Sequence, residues 1–317
     1  MLEFLDAIAQ SGVDIVCLSI RLLVLVTLSG LGACSATTRV EAPSGVLEAR
    51  RYFLIGADVH QTYQIDVLPV LSPVNPPSPG RRLPVLFVLD GNLLFPGVVS
   101  MASMLSLSEM PSVLVVGIGY QLDPSLAPGP FLLQYQARRN HDYTPTLDHA
   151  FLSQMEATYA RYGASYPAQG TPGGAAAFLA FIDSELKPFI RAHYPEADPD
   201  DATIMGDSLG GLFAMHVLQT SPRSFKRYIA SSPSLWWDDR LLMRSSFDLA
   251  DTRPRLFVSM GSLEPPAEMA APVAEMDARL KALPPEALDY RFQLFEGETH
   301  SSAVFSGFSR GLREVFR

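Results

Sequence analysis

Gly206-Asp207-Ser208-Leu209-Gly210-Gly211 constrains this chain more than any other stretch of it. It reads G-x-S-x-G with one further glycine, and its flanks predict its setting. Ala202-Thr203-Ile204-Met205, just before it, is a short apolar run suited to a buried parallel strand. After it, Leu209, Leu212, Phe213 and Val217 fall at i, i+3, i+4 and i+8, one face of a helix, and Ser221-Pro222 stops that helix. A strand that turns so tightly into a helix needs room where the two backbones meet, which Gly206 and Gly210 supply. The turn is expected to strain Ser208 and lift its hydroxyl to the carboxyl end of the strand, as in a nucleophile elbow. A chance glycine-rich turn shares the letters but not the strand before and the helix after.

A serine nucleophile needs a base, and on the elbow scaffold the order along the chain is Ser, then Asp or Glu, then His. Of the six histidines, only His216 and His300 follow Ser208. His216 lies about two turns along the helix that Ser208 opens, out of reach of the hydroxyl. His300 follows the alternating run Tyr290, Phe292 and Leu294, which predicts a strand, and so sits in a loop between the last strand and the last helix.

The acid is open among several carboxylates. Arg255-Leu256-Phe257-Val258-Ser259-Met260 predicts the penultimate strand, with Gly261-Ser262-Leu263-Glu264 at its end. Glu264 is the first candidate to orient the far nitrogen of His300. Asp238 and Asp239, after the preceding strand, and Glu298, two residues from the histidine, are the rivals. An oxyanion hole needs backbone N–H groups where the carbonyl oxygen turns negative. The elbow supplies the Leu209 N–H. A second donor is expected after Leu83-Pro84-Val85-Leu86-Phe87-Val88-Leu89, where Asp90-Gly91-Asn92 turns sharply and can aim the Asn92 N–H. Asp90 itself is expected to be a structural turn residue.

Leu89-Asp90-Gly91-Asn92, the Ser208 elbow and the run from Tyr228 to Trp237 resemble the putative-esterase family of α/β hydrolases. That family includes the esterase D enzymes, the antigen 85 mycolyltransferases and the catecholate-siderophore trilactone esterases. The chain is most similar to the last group. The pattern is echoed by Arg138-Arg139-Asn140-His141-Asp142-Tyr143-Thr144-Pro145 and by the stretch Phe181 to Ile190, which predicts the helix before the elbow strand. The resemblance spans about residues 50 to 317. It implies an α/β-hydrolase fold, a mostly parallel central sheet with helices on both faces, and a trilactone siderophore or similar polar ester as substrate. Asp207 departs from it, since many relatives carry histidine there, and this bears on substrate preference rather than on the triad.

A chain of 317 residues with 48% hydrophobic content can bury a large core, and one α/β domain accounts for it. The net charge of -9 argues against a nucleic-acid surface. Near the N-terminus, Arg21 precedes the apolar run 22–28, and Leu31-Gly32-Ala33-Cys34 resembles a bacterial lipobox. The run is too short to span a bilayer and fits the core of a secretory signal. Residues 1–33 are therefore expected to be a signal segment, Cys34 the lipidated residue, 34–49 a tether, and the protein exported to the periplasm or held at a membrane by that lipid. Against this stand the length of residues 1–20 and their Glu3, Asp6 and Asp14, and an uncleaved hydrophobic anchor is the alternative. With Cys17 in the signal segment and Cys34 acylated, the remaining domain has no thiol. No His/Cys/Asp cluster has metal-ligand spacing, and no cofactor or protein partner is expected.

Within the domain, strands are predicted over 51–55, 61–68 and 112–118 and a helix over 98–107. Residues 120–175, rich in Pro, Gly and Tyr and without a sustained period, are expected to form a long cap-like loop over the nucleophile. In it, Arg138 and Arg139 are candidates for gripping an anionic or catecholate substrate, with an ion pair to Asp142 or plain solvation as the alternative. Trp236, beside Trp237, is a candidate pocket wall, with core packing the alternative for each. The expected activity is a serine esterase acting through an acyl-enzyme. An acyltransferase or thioesterase on the same triad, or a non-catalytic ligand-binding lipoprotein, are the other classes such a chain can serve.

Overall fold

The computed structural model describes residues 48–56, 61–74, 76–123, 125–249 and 252–317. Cys17, Cys34 and the whole expected signal segment lie outside these residues.

Among the described residues, eight strands form one sheet: β1 (Arg50–Gly56), β2 (Gln61–Val70), β3 (Leu83–Val88), β4 (Val113–Tyr120), β5 (Ala197–Asp207), β6 (Arg227–Ser231), β7 (Arg255–Gly261) and β8 (Asp289–Phe295). Their order across the sheet is β1-β2-β4-β3-β5-β6-β7-β8. β2 runs antiparallel to both β1 and β4, and every other pairing is parallel. Parallel neighbours demand crossovers, and the helices that make them cover both faces.

Alternation along the strands sorts the side chains into two cores. Val85 and Phe87 of β3, with Leu114, Val116 and Ile118 of β4, face one side. Leu86 and Val88, with Val113 and Val115, face the other. Helices α1 (Gly91–Leu105) and α8 (Ala303–Phe316) cover the second face, through residues such as Phe95, Val98, Phe308 and Leu312. The first face is covered by α4 (Ala175–Phe181), α5 (Lys187–His193), α6 (Leu209–Thr220) and α7 (Ala271–Lys281). A π turn, Ile182–Leu186, joins α4 to α5.

Two expectations are corrected. α1 starts at Gly91, several residues before the expected Val98, because the left-handed Asp90 (φ 55°) turns its carbonyl to accept the Leu93 and Leu94 N–H groups. Pro96 sits in its second turn, where a proline interrupts the periodic signal. The segment 120–175 is not a loop but is largely helical, with α2 (Pro128–Asp142) and α3 (His149–Arg161). The Asp148 side chain caps α3 by accepting the Phe151 N–H at 3.0 Å, and Phe151, Met155 and Tyr159 form its buried stripe. That i, i+4, i+8 spacing was present in the sequence, but the surrounding prolines and glycines masked it. The segment is tied to the region after β6, where Thr146 donates to Asp238 at 2.7 Å and the Trp237 indole donates to Thr146 at 3.2 Å.

Candidate active site

Ser208 stands between β5 and α6 with φ 59° and ψ −117°, a left-handed conformation that a serine adopts only where its surroundings force it. Backbone bonds supply that force. The Ser208 N–H donates to Ser231 O at 3.0 Å, and its carbonyl accepts from Leu212 at 2.9 Å and Ser234 at 3.1 Å. Gly206 is required by space, because a Cβ there would stand 2.5 Å from the Gly210 carbonyl. Leu209 opens α6, so its N–H has no partner within the helix. The Asn92 N–H is in the first turn of α1 in the same way, at the end of β3, the neighbour of β5. The Asn92 side chain is turned away into a clamp on β4, donating to Tyr120 O at 3.0 Å and accepting from Tyr120 N at 2.7 Å. That clamp fixes the backbone whose N–H was expected to serve the oxyanion.

His300 and Glu264 meet. His300 Nδ1 lies 2.9 Å from Glu264 Oε2, and the Glu264 side chain is fully buried. The other carboxylate oxygen accepts from Ser232 Oγ at 2.6 Å and from the Gly261 N–H at 2.8 Å. Burial alone would push this carboxyl up. The hydrogen bonds from His300, Ser232 and Gly261 outweigh it and hold Glu264 below the usual carboxylate range. For His300, burial favours the neutral ring, but the bond to Glu264 and the fields of Asp207 and Glu264 raise its proton affinity above the ordinary histidine value. Among the described residues the Ser208 hydroxyl has Ser234 Oγ as its hydrogen-bond neighbour, at 3.3 Å, and no bond to His300. Serine–histidine contacts of this kind often tighten only when substrate binds.

The rival acids stand elsewhere. Asp238 is engaged by Thr146, and Asp239 is exposed beside Arg244 at 3.5 Å. Glu298 contributes its backbone, its carbonyl accepting the Leu263 N–H at 2.9 Å. His216 is a half-buried residue of α6 whose proton affinity burial lowers.

Arg139 is corrected. It is buried, and it grips Asp90 through Nε at 3.0 Å and an Nη at 2.9 Å, so it does not reach for a substrate. Tyr135 also donates to Asp90, and the Tyr143 hydroxyl accepts the Asp90 N–H at 2.8 Å. Sequence had marked Asp90 as structural, but not that α2 supplies its partners. Nor is Asp142 the arginine's partner. It is buried and accepts from Gln61 at 2.9 Å, from Tyr63 at 3.0 Å and from His141 at 2.8 Å, and burial raises its pKa.

Arg138, in contrast, makes no ion pair or hydrogen bond among the described residues. With Gln61, His141 and the segment Pro167–Gly173 it lines a cavity of about 560 Å³. β2 runs opposite to β4, so Gln61 lies beside the carboxyl end of β4, and neither Ser208 nor His300 is among the residues that line the cavity. Trp236 is half-buried against Phe151 and Trp237, with ring centroids at 6.2 and 5.8 Å, whereas Trp237 belongs to the core.

Comparison with known proteins agrees with this geometry. Residues 141–308 match the family described as "Putative esterase". The chain is 32% identical over 269 residues to the ferri-bacillibactin esterase BesA of Bacillus subtilis, covering 80% of this chain and 84% of that one. It is 30% identical over 264 residues to the siderophore triacetylfusarinine C esterase of Aspergillus fumigatus, covering 74% and 82%. The crystal structure of the BES protein from Bacillus cereus superposes with a TM-score of 0.69 at 26% identity, over 92% of this chain and all of that one. The siderophore hydrolase EstA from Aspergillus nidulans superposes with a TM-score of 0.63 at 26% identity, over 83% and 92%. An α/β-hydrolase sheet, a strained serine at its elbow and relatives of this similarity over most of their length lead to one assignment: the chain belongs to the esterase family of α/β hydrolases and is an ester-hydrolysing serine hydrolase.

Proposed function

We propose that the chain hydrolyses a siderophore ester, of the trilactone or a similar cyclic polyester kind, with Ser208 as nucleophile. Ser208 Oγ attacks the ester carbonyl while His300 Nε2 takes its proton, and Glu264 stabilises the imidazolium that results. The negative charge that develops on the carbonyl oxygen is met by the Leu209 and Asn92 N–H groups. The tetrahedral adduct expels the alcohol, which leaves with the proton from His300. Water then attacks the acyl-enzyme, giving a proton to His300 and releasing the carboxylic acid as Ser208 recovers its own.

The observation that carries this is the buried Glu264–His300 pair at the same rim as the strained Ser208. The substrate class rests on the relatives, whose names specify siderophore esters. Arg138, without an ion pair or hydrogen bond among the described residues, is the group suited to an anionic or catecholate arm, and Trp236, which does not line that cavity, is a separate candidate for an apolar contact. The same proposal places the enzyme outside the cytoplasm, exported through residues 1–33 and anchored by a lipid on Cys34. Its support is the apolar run followed by Leu31-Gly32-Ala33-Cys34.

The test compares turnover by the purified domain of a catecholate trilactone, free and iron-loaded, with that of short p-nitrophenyl esters. The expected result is a kcat/KM for the trilactone well above that for the simple esters, with linear acids as products. Equal or better use of p-nitrophenyl esters would overturn the substrate class.

A further inference from the structure

The two N–H groups offered to the oxyanion sit on different elements, that of Asn92 in the first turn of α1 and that of Leu209 in the first turn of α6. Two positions before them in the chain stand Asp90 and Asp207. One side chain touches both. Arg139 of α2 donates from Nε to Asp90 Oδ1 at 3.0 Å and from Nη2 to Asp90 Oδ2 at 2.9 Å, and the same Nη2 reaches the Asp207 carbonyl at 3.5 Å.

Tyr135, Arg139 and Tyr143 are spaced by four along α2 and its C-cap, and all three bear on Asp90. Tyr135 donates to the carboxylate, the Tyr143 hydroxyl accepts the Asp90 N–H at 2.8 Å, and the guanidinium lies over the Tyr143 ring, 5.4 Å from its centroid. The two ion-pair side chains are each 5% exposed. The Asp90 carbonyl accepts the Leu93 and Leu94 N–H groups at 2.9 and 3.0 Å, so the place of Asp90 sets the first turn of α1 and the Asn92 N–H with it. The turn has little slack on its other sides. A Cβ on Gly91 would stand 2.8 Å from the Ile118 nitrogen of β4, and one on Gly210 of α6 would stand 3.5 Å from Asp90 Oδ2.

We propose that Arg139 is a positioning residue of the oxyanion hole, one rigid guanidinium that fixes how far apart the Asn92 and Leu209 N–H groups stand. This rests on Ser208 serving as the nucleophile. Donors stabilise an oxyanion only from about 2.7–3.1 Å, so a shift of several tenths of an ångström between them loses much of the effect. Arginine suits the task because its planar fork fixes direction as well as charge. A lysine is a point charge on a flexible stem and cannot hold two carboxylate oxygens and a carbonyl in one geometry. The donors act on the charged intermediate more than on the neutral ester, so their spacing governs kcat rather than KM.

The test is Arg139→Lys in the full-length enzyme, which keeps a cation beside Asp90 but not the fork. Its kcat should fall by about ten- to several hundred-fold, toward the loss of one oxyanion donor, with KM changed less than about twofold. Affinity for an alkylboronic acid, whose serine adduct places a charged oxygen in the hole, should fall by a comparable factor. Lys187→Ala, which breaks the ion pair to Asp183 on α5, reports what lost stability alone does and should leave both readouts in place where it is folded. A kcat within about twofold of wild type in Arg139→Lys, a lost kcat with unchanged boronate affinity, or the same losses in Lys187→Ala overturns the proposal. If Arg139→Lys does not fold, Asp90→Asn/Arg139→Gln removes both charges, leaves no uncompensated ion and is read in the same way. Failure of the parent reading looks different, since Ser208→Ala would then stay active and the boronate would not bind at Ser208.

Discussion

Glu264 Oε2 lies 2.9 Å from His300 Nδ1, and the carboxylate that makes this contact is fully buried. The contact fixes the tautomer, because a ring that donates from Nδ1 to a carboxylate leaves Nε2 free to accept a proton. Replacing Glu264 by Gln removes the charge that stabilises the imidazolium and should lower kcat by up to about four orders of magnitude. Glu298→Gln should stay near wild type, with little change in KM for either variant. Steady-state kinetics of the two side by side decide the matter, and near-normal turnover in Glu264→Gln would return the role to another acid.

Ser208→Ala should lower kcat by roughly three to six orders of magnitude and leave the unfolding midpoint unchanged. A fluorophosphonate probe should label the wild type at Ser208, read by peptide mass spectrometry. Labelling at a different serine, together with activity in the variant, would refute the assignment.

The pH profile follows from the raised proton affinity of His300. Only the neutral ring can act as base, so kcat/KM should fall on the acid side, with an apparent pKa above the ordinary histidine value of 6.5. Removing the Glu264 charge removes part of what raises it, so the residual activity of Glu264→Gln should show its acid limb at lower pH. A limb that stays in place would mean that Glu264 does not act on the titrating group.

The two neighbouring arginines should behave in opposite ways. Arg139→Ala leaves Asp90 buried without its cation, a change that typically costs about 3–5 kcal/mol, and should lower the denaturation midpoint sharply. Arg138→Ala should leave that midpoint unchanged and raise KM for an anionic siderophore ester far more than for a neutral p-nitrophenyl ester. Equal stability losses in the two variants would contradict the assignment of the second arginine to the cavity.

Cys34→Ser should abolish incorporation of labelled fatty acid and move the protein from the membrane fraction to the soluble one. Intact-mass measurement of the wild type should find residues 1–33 removed. Their retention would end the lipobox reading.

The sequence by itself determined the elbow, most of the strands and the histidine, because each is written in local or periodic terms. An apolar strand before Gly206, a helical stripe after Leu209 and a strand before His300 need only neighbours in the chain to be read. Chain order then eliminated His216. What only the tertiary structure decided are the questions of which group faces which. Glu264, Asp238, Asp239 and Glu298 all follow strand ends or adjoin His300, and the choice among them depends on loop paths that bring Ser232 and the Gly261 N–H onto one carboxylate. Arg138 and Arg139 are adjacent letters, yet a helix turns successive side chains about 100° apart, so one enters a buried ion pair and the other a cavity. Asp207, Ser231 and Ser259 stand side by side only through the register of three strands. Long-range register is a property of the assembled sheet, and no local pattern encodes it.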